Sequence, residues 1–155
     1  MSSITLTKHV FEKLIEHLIY IEESSDSLVE FIFPEPGKER EDMKLFFKRY
    51  VKAIEDELEN VTVLKSHRAG ASPGTLNHFP FVIIGSEVDL EDETGKVSSV
   101  YRLIHPDSLS RVKNEITYLS PIGKELLMKN KGSKISIEVQ SDIRHLKIKS
   151  IRLVM

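Results

Sequence analysis

Carboxylates are concentrated in one short stretch, residues 34–42, which reads Pro-Glu-Pro-Gly-Lys-Glu-Arg-Glu-Asp. Four carboxylates against two cations give this stretch a local negative charge that could serve a function. Acidic residues also suit the positive end of a helix dipole, and helix capping is therefore the alternative explanation. The four carboxylates are Glu35, Glu39, Glu41 and Asp42, and the two cations among them are Lys38 and Arg40.

A group of cations follows directly. Lys44, Lys48 and Lys52 are four residues apart and would share one helix face, with Arg49 close by. One interpretation is a short cationic strip able to hold a phosphate backbone beside the carboxylates. The alternative is a solvated face, or pairing with glutamates of the preceding helix.

Two helical patterns flank the carboxylates and must position them. The first seam is Phe11, Leu14, Leu18, Ile21, Ser25, Leu28 and Ile32, and the second is Met43, Phe47, Val51, Ile54, Leu58 and Val61. Spacings of three and four predict helices, each about 26 residues and about 40 Å long. Thr5 or Thr7 is the expected cap of the first helix. Because Pro34 and Pro36 end a helix, residues 1–64 are predicted to form an antiparallel coiled-coil hairpin with the carboxylates at its tip.

Residues 65–80 show no sustained apolar period and are predicted to be a linker. From Phe81 onward the pattern is that of strands. Strands are expected at 81–90, 97–104, 116–119, 134–139 and 146–153, with an acidic turn at 91–95. Ser120 and Pro121 open one short helix, as N-cap and first helical residue. The whole is an α+β chain whose second domain, residues 81–155, is a small antiparallel sheet with one helix.

Composition excludes several classes of protein. The 155 residues include no cysteine, so disulfides, thiolate metal sites and cysteine nucleophiles are absent. The net charge of -2 gives no overall attraction to nucleic acid. No apolar run is long enough to span a membrane and no export signal is recognisable, so a cytoplasmic protein with no membrane contact is expected.

Three segments of the second half resemble the C-terminal domain of the GreA/GreB transcription elongation factors. They are Ile83-Ile-Gly-Ser-Glu-Val, Tyr101-Arg-Leu-Ile with His105-Pro-Asp, and Tyr118-Leu-Ser-Pro-Ile-Gly-Lys-Glu-Leu-Leu, which is followed by a turn at Gly132. The first half resembles that family in its hairpin arm and in two small segments, Glu12-Lys-Leu and Ile54-Glu-Asp-Glu-Leu.

The resemblance implies a mechanism. In this family an FKBP-like C-terminal domain docks on bacterial RNA polymerase, and the arm enters the secondary channel so that its acidic tip reaches the active centre. There the tip helps to hold a second Mg²⁺ and a water, and the polymerase cleaves its own backtracked transcript. The factor is then no enzyme itself, holds no cofactor stably, and acts through the Mg²⁺ of the polymerase.

The resemblance also implies roles for particular residues of this chain. The tip candidates for catalysis in trans are Glu39, Glu41 and Asp42, and Glu41 and Asp42 are the candidate metal ligands within the polymerase. The candidate partner-binding segment is Ser120, Pro121, Ile122, Gly123 and Lys124. Lys44, Lys48, Arg49 and Lys52 are the candidates for contact with transcript RNA. A monomer is expected, because the arm must enter a channel.

Departures from the family pattern keep a second function open. The usual tip, an Asp followed closely by Glu-Asn-Ala-Glu-Tyr, is replaced by Lys38-Glu-Arg-Glu-Asp-Met, and Glu125 and Ser133 depart from the C-terminal motif. A changed tip is compatible with a regulator that occupies the channel without supporting cleavage. A peptidyl-prolyl isomerase is a third alternative, because the implied domain is FKBP-like. Its aromatic pocket would have to be built from Phe79, Phe81, Tyr101 and Tyr118.

Overall fold

The computed structural model describes residues 4–65, 76–106 and 114–155, without the side chains of Ser98 and Val139. The chain divides between Ala71 and Ser72 into two compact units. Unit 1 contains β1 (Ile4–Thr7), α1 (Lys8–Ile32), α2 (Lys38–Leu58) and β2 (Val61–Leu64). Unit 2 contains β3 (Ser86–Glu91), β4 (Val97–Leu103), β5 (Glu115–Ile116), α3 (Pro121–Leu126), β6 (Lys134–Val139) and β7 (Asp142–Leu153).

The helical hairpin of unit 1 is held by an apolar seam. Its buried residues are Val10, Leu14, Leu18, Ile21 and Val29 of α1 and Phe47, Tyr50, Val51 and Ile54 of α2. Six of these nine residues were predicted to lie in the seam, and Val10, Val29 and Tyr50 were not. The seam predicted through Leu28 shifts to Val29 after Ser25, because Leu28 is only half-buried. The 21 residues of α2 give the hairpin a length of about 32 Å.

A polar contact lies inside this apolar seam. The hydroxyl of Tyr50, a residue with no exposed surface, is 2.8 Å from His17 Nε2. The two rings also meet edge to face with their centroids 5.7 Å apart. Because a buried hydroxyl without a hydrogen bond is costly, the Tyr50–His17 contact helps to fix the alignment of α1 against α2.

The first and last segments of unit 1 form a two-stranded parallel sheet that the sequence did not predict. β1 pairs with β2 from Ile4 opposite Val61 to Thr7 opposite Leu64. Four-residue strands are too short to show a period, and Val61 looked like the last residue of the helical seam. Thr5 therefore lies in a strand and does not cap α1. Thr7 is confirmed as the N-cap, since its hydroxyl accepts a hydrogen bond from Val10 N at 3.3 Å.

Unit 2 is a five-stranded sheet with the order β5-β4-β3-β7-β6. The pairs β3–β4, β3–β7 and β6–β7 are antiparallel, whereas β5 runs parallel to β4. The expectation of a purely antiparallel sheet was thus wrong at its edge. The strand predicted at 116–119 is shorter and earlier, Glu115–Ile116, because the chain turns at Tyr118 and Leu119 to enter α3.

The apolar run that precedes β3 is buried but is not a strand. Phe81, Val82, Ile83 and Ile84 all have at most 7% of their surface exposed. Val82 bonds through its backbone to Met128 and Lys129, after which Gly85, with φ of 96°, turns the chain into β3 at Ser86. A fully apolar run shows burial without a period, so the sequence could not separate this buried connection from a strand.

Residues 76–80, within the predicted linker of 65–80, have contacts in unit 2. Phe79 N donates to Ile151 O at 3.0 Å, and Leu153 N donates to Asn77 O at 2.7 Å. Phe79 is buried and packs edge to face against Phe81 with ring centroids 5.0 Å apart. These residues therefore extend the core of unit 2 alongside the end of β7.

The short helix α3 begins as predicted. Ser120 Oγ accepts a hydrogen bond from Gly123 N at 3.0 Å and donates one to Thr117 O at 2.8 Å. Gly123 packs so closely on the preceding turn that a Cβ there would lie 1.9 Å from Thr117 O. The serine and the glycine of the Ser-Pro-Ile-Gly segment are thus both required by local packing.

We predict that Gly123→Ala destabilises unit 2, because the added methyl must displace a backbone carbonyl. The free energy of unfolding should fall by about 3 kcal/mol, the upper range for overpacking. Chemical denaturation followed by circular dichroism measures this loss. Lys124→Ala is the control, since Lys124 is exposed on the same helix. Equal stability of the two variants would contradict the packing argument.

Candidate functional site

The acidic tip joins the end of α1 to the start of α2. α1 ends at Ile32 with Phe33 as C-cap, and α2 begins at Lys38 after Gly37, which provides no side-chain cap. Glu39 and Glu41 lie in the first turn of α2, where their charges complement the uncapped backbone amides. Interaction with the helix dipole thus explains why acidic residues are favoured at positions 39 and 41. Both side chains are exposed.

The start of α2 at Lys38 determines which carboxylates share a face. Successive side chains of a helix are rotated by about 100°, so Glu39 and Asp42, three residues apart, lie about 60° from each other. Glu41 is about 100° from Asp42 and on the far side from Glu39. Helical geometry therefore favours Glu39 with Asp42 as a pair able to meet one cation, and separates the predicted pair of Glu41 and Asp42.

Arg40 connects the two ends of the tip turn. Its Nε donates to Phe33 O at 2.9 Å, and its Nη2 donates to Pro34 O at 2.5 Å. Both acceptors lie just beyond α1, at the negative end of that helix dipole, where a cation is favoured. Because Arg40 points toward α1, Asp42, two residues on, projects to the opposite side of α2.

The predicted cationic strip is partly engaged in ion pairs. Lys44 Nζ lies 3.5 Å from Glu30 Oε1 on α1, and Lys52 Nζ lies 2.8 Å from Asp56 Oδ1 on its own helix. The hydrogen bond and charge of Asp56 raise the pKa of Lys52. Lys48 and Arg49 are exposed. The strip therefore combines one pair of the predicted kind, Lys44 with Glu30, with Lys48, Arg49 and Lys52, which are exposed to solvent.

A carboxylate contact across the arm was not predicted. A hydrogen bond that the protonated Glu22 carboxyl on α1 donates to Glu55 on α2, followed by desolvation and by the charges of Glu55 and Glu23, raises the pKa of Glu22. The two carboxyl groups thus favour sharing a proton. Positions 22 and 55 become neighbours only when the hairpin closes, so no local sequence signal indicates the contact.

The candidate partner-binding segment contains two kinds of residue. Ser120 and Gly123 serve the cap and the packing of α3, and Gly123 is buried. Pro121 and Lys124 are exposed, and Ile122 is half-buried. A partner that binds this segment can therefore contact Pro121, Lys124 and the exposed part of Ile122.

Glu87 forms a charged bridge across three strands of unit 2. It accepts hydrogen bonds from Arg102 of β4 at 3.1 Å and from Arg152 of β7 at 3.0 Å, both directly opposite it in register. Asp89, two residues on, accepts a hydrogen bond from Ser150 at 2.9 Å. The bridge fixes strand register, and recognising it requires the strand order, which the sequence does not reveal.

The acidic turn between β3 and β4 is organised by Asp92. Its Oδ1 accepts hydrogen bonds from Thr94 Oγ1 at 2.5 Å and from the Thr94 amide at 2.9 Å, with a longer one from the Lys96 amide at 3.3 Å. The Thr94 hydroxyl and amide lower the pKa of Asp92, and Lys96 contributes less. These contacts confirm the predicted hairpin turn.

The aromatic residues of unit 2 belong mainly to its core. Phe79, Phe81 and Tyr118 have 3%, 7% and 3% of their surface exposed. Tyr101 is half-buried. A groove of about 570 Å³ in unit 2 is lined by charged and apolar residues, among them Glu91, Lys134 and Leu146, and by none of these four aromatics. The three buried aromatics therefore do not line the open pocket that a peptidyl-prolyl isomerase would need.

Across residues 4–65, 76–106 and 114–155, no three histidine or acidic side chains converge on a point where a metal ion could bind. Over the same residues, no helix is both long and apolar enough to cross a membrane.

The fold and the tip define an α+β protein that carries an acidic-tipped helical hairpin and a five-stranded sheet. The family model described as "Transcription elongation factor, GreA/GreB, C-term" matches residues 77–153. Residues 77–153 belong to the GreA/GreB family, and this second half is the part that carries the match.

Curated relatives named "Transcription elongation factor GreA" agree. The protein of Desulfovibrio desulfuricans is 38% identical over 58 residues, which cover 37% of this chain and 36% of that protein. The protein of Dehalococcoides mccartyi is 34% identical over 91 residues, which cover 59% of this chain and 53% of that protein. The matched stretches thus span about a third to a half of the length of these relatives. The protein of Verminephrobacter eiseniae aligns over 97% of this chain and 98% of its own length at 25% identity.

Two solved structures align along most of the chain. Thermus aquaticus Gfh1 is 22% identical with a TM-score of 0.42, covering 98% of this chain and 99% of its own. The elongation factor GreA/GreB of Nitrosomonas europaea is 20% identical with a TM-score of 0.44, covering 96% and 98%. TM-scores below 0.5 leave the function to be argued from the family match and from the site.

The pKa of Asp92 gives a prediction about pH. Because this pKa is lowered in the folded state, the carboxylate stabilises the turn at pH values above its ordinary 3.8, and the contribution is lost as the pH falls through the folded pKa. Thr94→Val removes the hydroxyl donor and should raise the titration midpoint of Asp92 toward 3.8. Carboxyl carbon NMR measures both midpoints.

Thr62→Val supplies the control for this titration. Thr62 is an exposed residue of β2 in the other unit, so its substitution should leave Asp92 unchanged. An Asp92 midpoint that is the same in Thr94→Val and in the wild-type protein would show that the hydroxyl does not stabilise the carboxylate.

Proposed function

We propose that this protein binds bacterial RNA polymerase at the secondary channel and stimulates cleavage of backtracked transcripts. Membership of the GreA/GreB family supports the polymerase as partner. The observation that carries the proposal is the tip itself, where Glu39, Glu41 and Asp42 are exposed at the turn of a hairpin about 32 Å long. The chemistry of cleavage belongs to the polymerase.

The chemical role of the tip follows from the properties of magnesium. Two-metal cleavage requires a second ion about 4 Å from the first, to stabilise the attacking and leaving oxygens. Mg²⁺ keeps several waters and is commonly held by only one or two carboxylates. Glu39 and Asp42, on one face of α2, meet that requirement. On its own the tip has too few ligands to hold the ion, so it acts only beside the carboxylates of its partner.

Transcript RNA is a further proposed contact. Lys48 and Arg49 are exposed on α2, six to ten residues from the tip carboxylates. Lys44 and Lys52 would join them by exchanging Glu30 and Asp56 for phosphate. Exposed ion pairs are worth at most about 1 kcal/mol, so this exchange costs little.

A second candidate function is occupancy of the channel without cleavage. The observation that favours it is that Glu39 and Glu41 lie at the uncapped start of α2, where helix stability alone explains them. Such a regulator would compete with a cleavage factor for polymerase and leave the length of the RNA unchanged.

We predict that the purified protein shortens RNA in stalled, backtracked polymerase complexes. The triple variant Glu39→Gln, Glu41→Gln, Asp42→Asn should lower the cleavage rate at least about 100-fold, because the second metal loses its ligands. Its affinity for polymerase, measured by competition with a labelled wild-type protein, should stay within about twofold, because the tip supplies ligands rather than the docking surface.

The control variant is Glu12→Gln, Glu16→Gln, Glu23→Gln, which makes the same charge change at exposed positions of α1 away from the tip. It should cleave as the wild-type protein does. Binding to polymerase without cleavage by the wild-type protein would replace the first function with the second. Absence of binding would refute both.

A further inference from the structure

Arg40 makes a contact that helix capping alone does not require. It belongs to α2, yet its two hydrogen bonds go to carbonyls beyond the end of α1, Phe33 O at 2.9 Å and Pro34 O at 2.5 Å. Between the helices the chain passes through two prolines and Gly37, which has no side chain to anchor α2. The guanidinium is thus a direct link between the first turn of α2 and the end of α1.

The geometry of the link requires arginine. A guanidinium presents several donors in a rigid plane, so it can reach two neighbouring carbonyls at once, whereas a lysine ammonium is a single point charge on a flexible stem. Arg40 is half-buried, which strengthens its hydrogen bonds relative to those of a fully solvated side chain. Lys44, one turn further on, points the same way and pairs with Glu30 at 3.5 Å.

The link also constrains the carboxylates. Glu39 precedes Arg40 directly and Asp42 follows two residues later, so all three belong to the same helical turn. With Arg40 held against α1, Asp42 must project from the opposite side of α2, and Glu39 lies about 60° from it. Without the link, the first turn of α2 can fray, and the two carboxylates would no longer keep a fixed separation.

We propose that Arg40 is a positioning residue, whose bonds to Phe33 and Pro34 fix Glu39 and Asp42 in the arrangement that meets a divalent cation in the polymerase. This inference rests on the proposed function in cleavage. Arg40 itself touches neither metal nor transcript. It raises the apparent affinity for the second ion because the two carboxylates are already in place when the tip arrives.

The first test measures the link without the polymerase. Arg40→Met keeps the aliphatic stem and removes the donors, and Arg49→Met makes the same change at an exposed arginine of the same helix. Hydrogen exchange followed by mass spectrometry should show amides 41–44, the first of α2 that have hydrogen-bond acceptors, exchanging at least about tenfold faster in Arg40→Met, the effect of losing a charge-assisted hydrogen bond. Arg49→Met should match the wild-type protein.

The second test titrates Mg²⁺ in the cleavage assay with backtracked polymerase complexes. In Arg40→Met the Mg²⁺ concentration at half-maximal cleavage should rise about tenfold, while the maximal rate at saturating Mg²⁺ and the affinity for polymerase stay unchanged. Arg40→Lys, which can reach one carbonyl at a time, should give an intermediate Mg²⁺ requirement. A merely structural role would lower the maximal rate or the affinity instead.

The outcomes separate the two proposals. Failure of the wild-type protein to cleave refutes the proposed function, and the inference falls with it. Cleavage by the wild-type protein together with the same Mg²⁺ requirement in Arg40→Met overturns the inference alone. Unchanged exchange at amides 41–44 in Arg40→Met overturns it as well, because the link would then not hold the turn.

Discussion

The contact between α1 and α2 is the interaction on which the acidic tip depends. Helices of 25 and 21 residues gain most of their stability from burying one face, and here each buries a continuous apolar stripe against the other. A fully buried side chain such as Leu14 or Ile54 contributes about 1.5–3 kcal/mol, whereas an exposed ion pair contributes at most about 1 kcal/mol. Apolar packing therefore holds the hairpin, and the charges on its surface are left available for other uses.

This division of roles explains how the arm carries so many charges. Charged side chains cover the outer faces of both helices, and several are paired, as in Lys44 with Glu30. Since such pairs add little to stability, they can separate when a partner offers a better ligand. The same reasoning applies to the tip, where the carboxylates of α2 complement the helix dipole and still face outward. Stability and partner binding thus do not compete for the same atoms.

Local chemistry predicted much of the fold. Both helices, the Thr7 and Ser120 caps and the turn at Asp92 follow from a few neighbouring residues, and the structure confirms each of them. Two of the misses share a cause, which is contact between residues distant in the sequence. The parallel pairing of Ile4 with Val61 and the direction of β5 cannot be read from any short window.

The site was predictable in its composition but not in its geometry. The carboxylates of residues 34–42 stood out by charge alone. Which of them share a face depends on α2 starting at Lys38, and the hydrogen bonds of Arg40 depend on how the prolines turn the chain. The Glu22–Glu55 contact likewise requires the closed hairpin.

The packing of Gly123 against Thr117 bears on how relatives of this protein are recognised. The Ser-Pro-Ile-Gly sequence is the most conspicuous signature of the chain, yet its serine and glycine are demanded by the turn into α3. A descendant that lost every interaction with its ancestral target would still have to keep both residues in order to fold. The Ser-Pro-Ile-Gly sequence therefore indicates common ancestry. Activity has to be inferred from the N-terminal half of the chain, where substitution of exposed residues costs little stability.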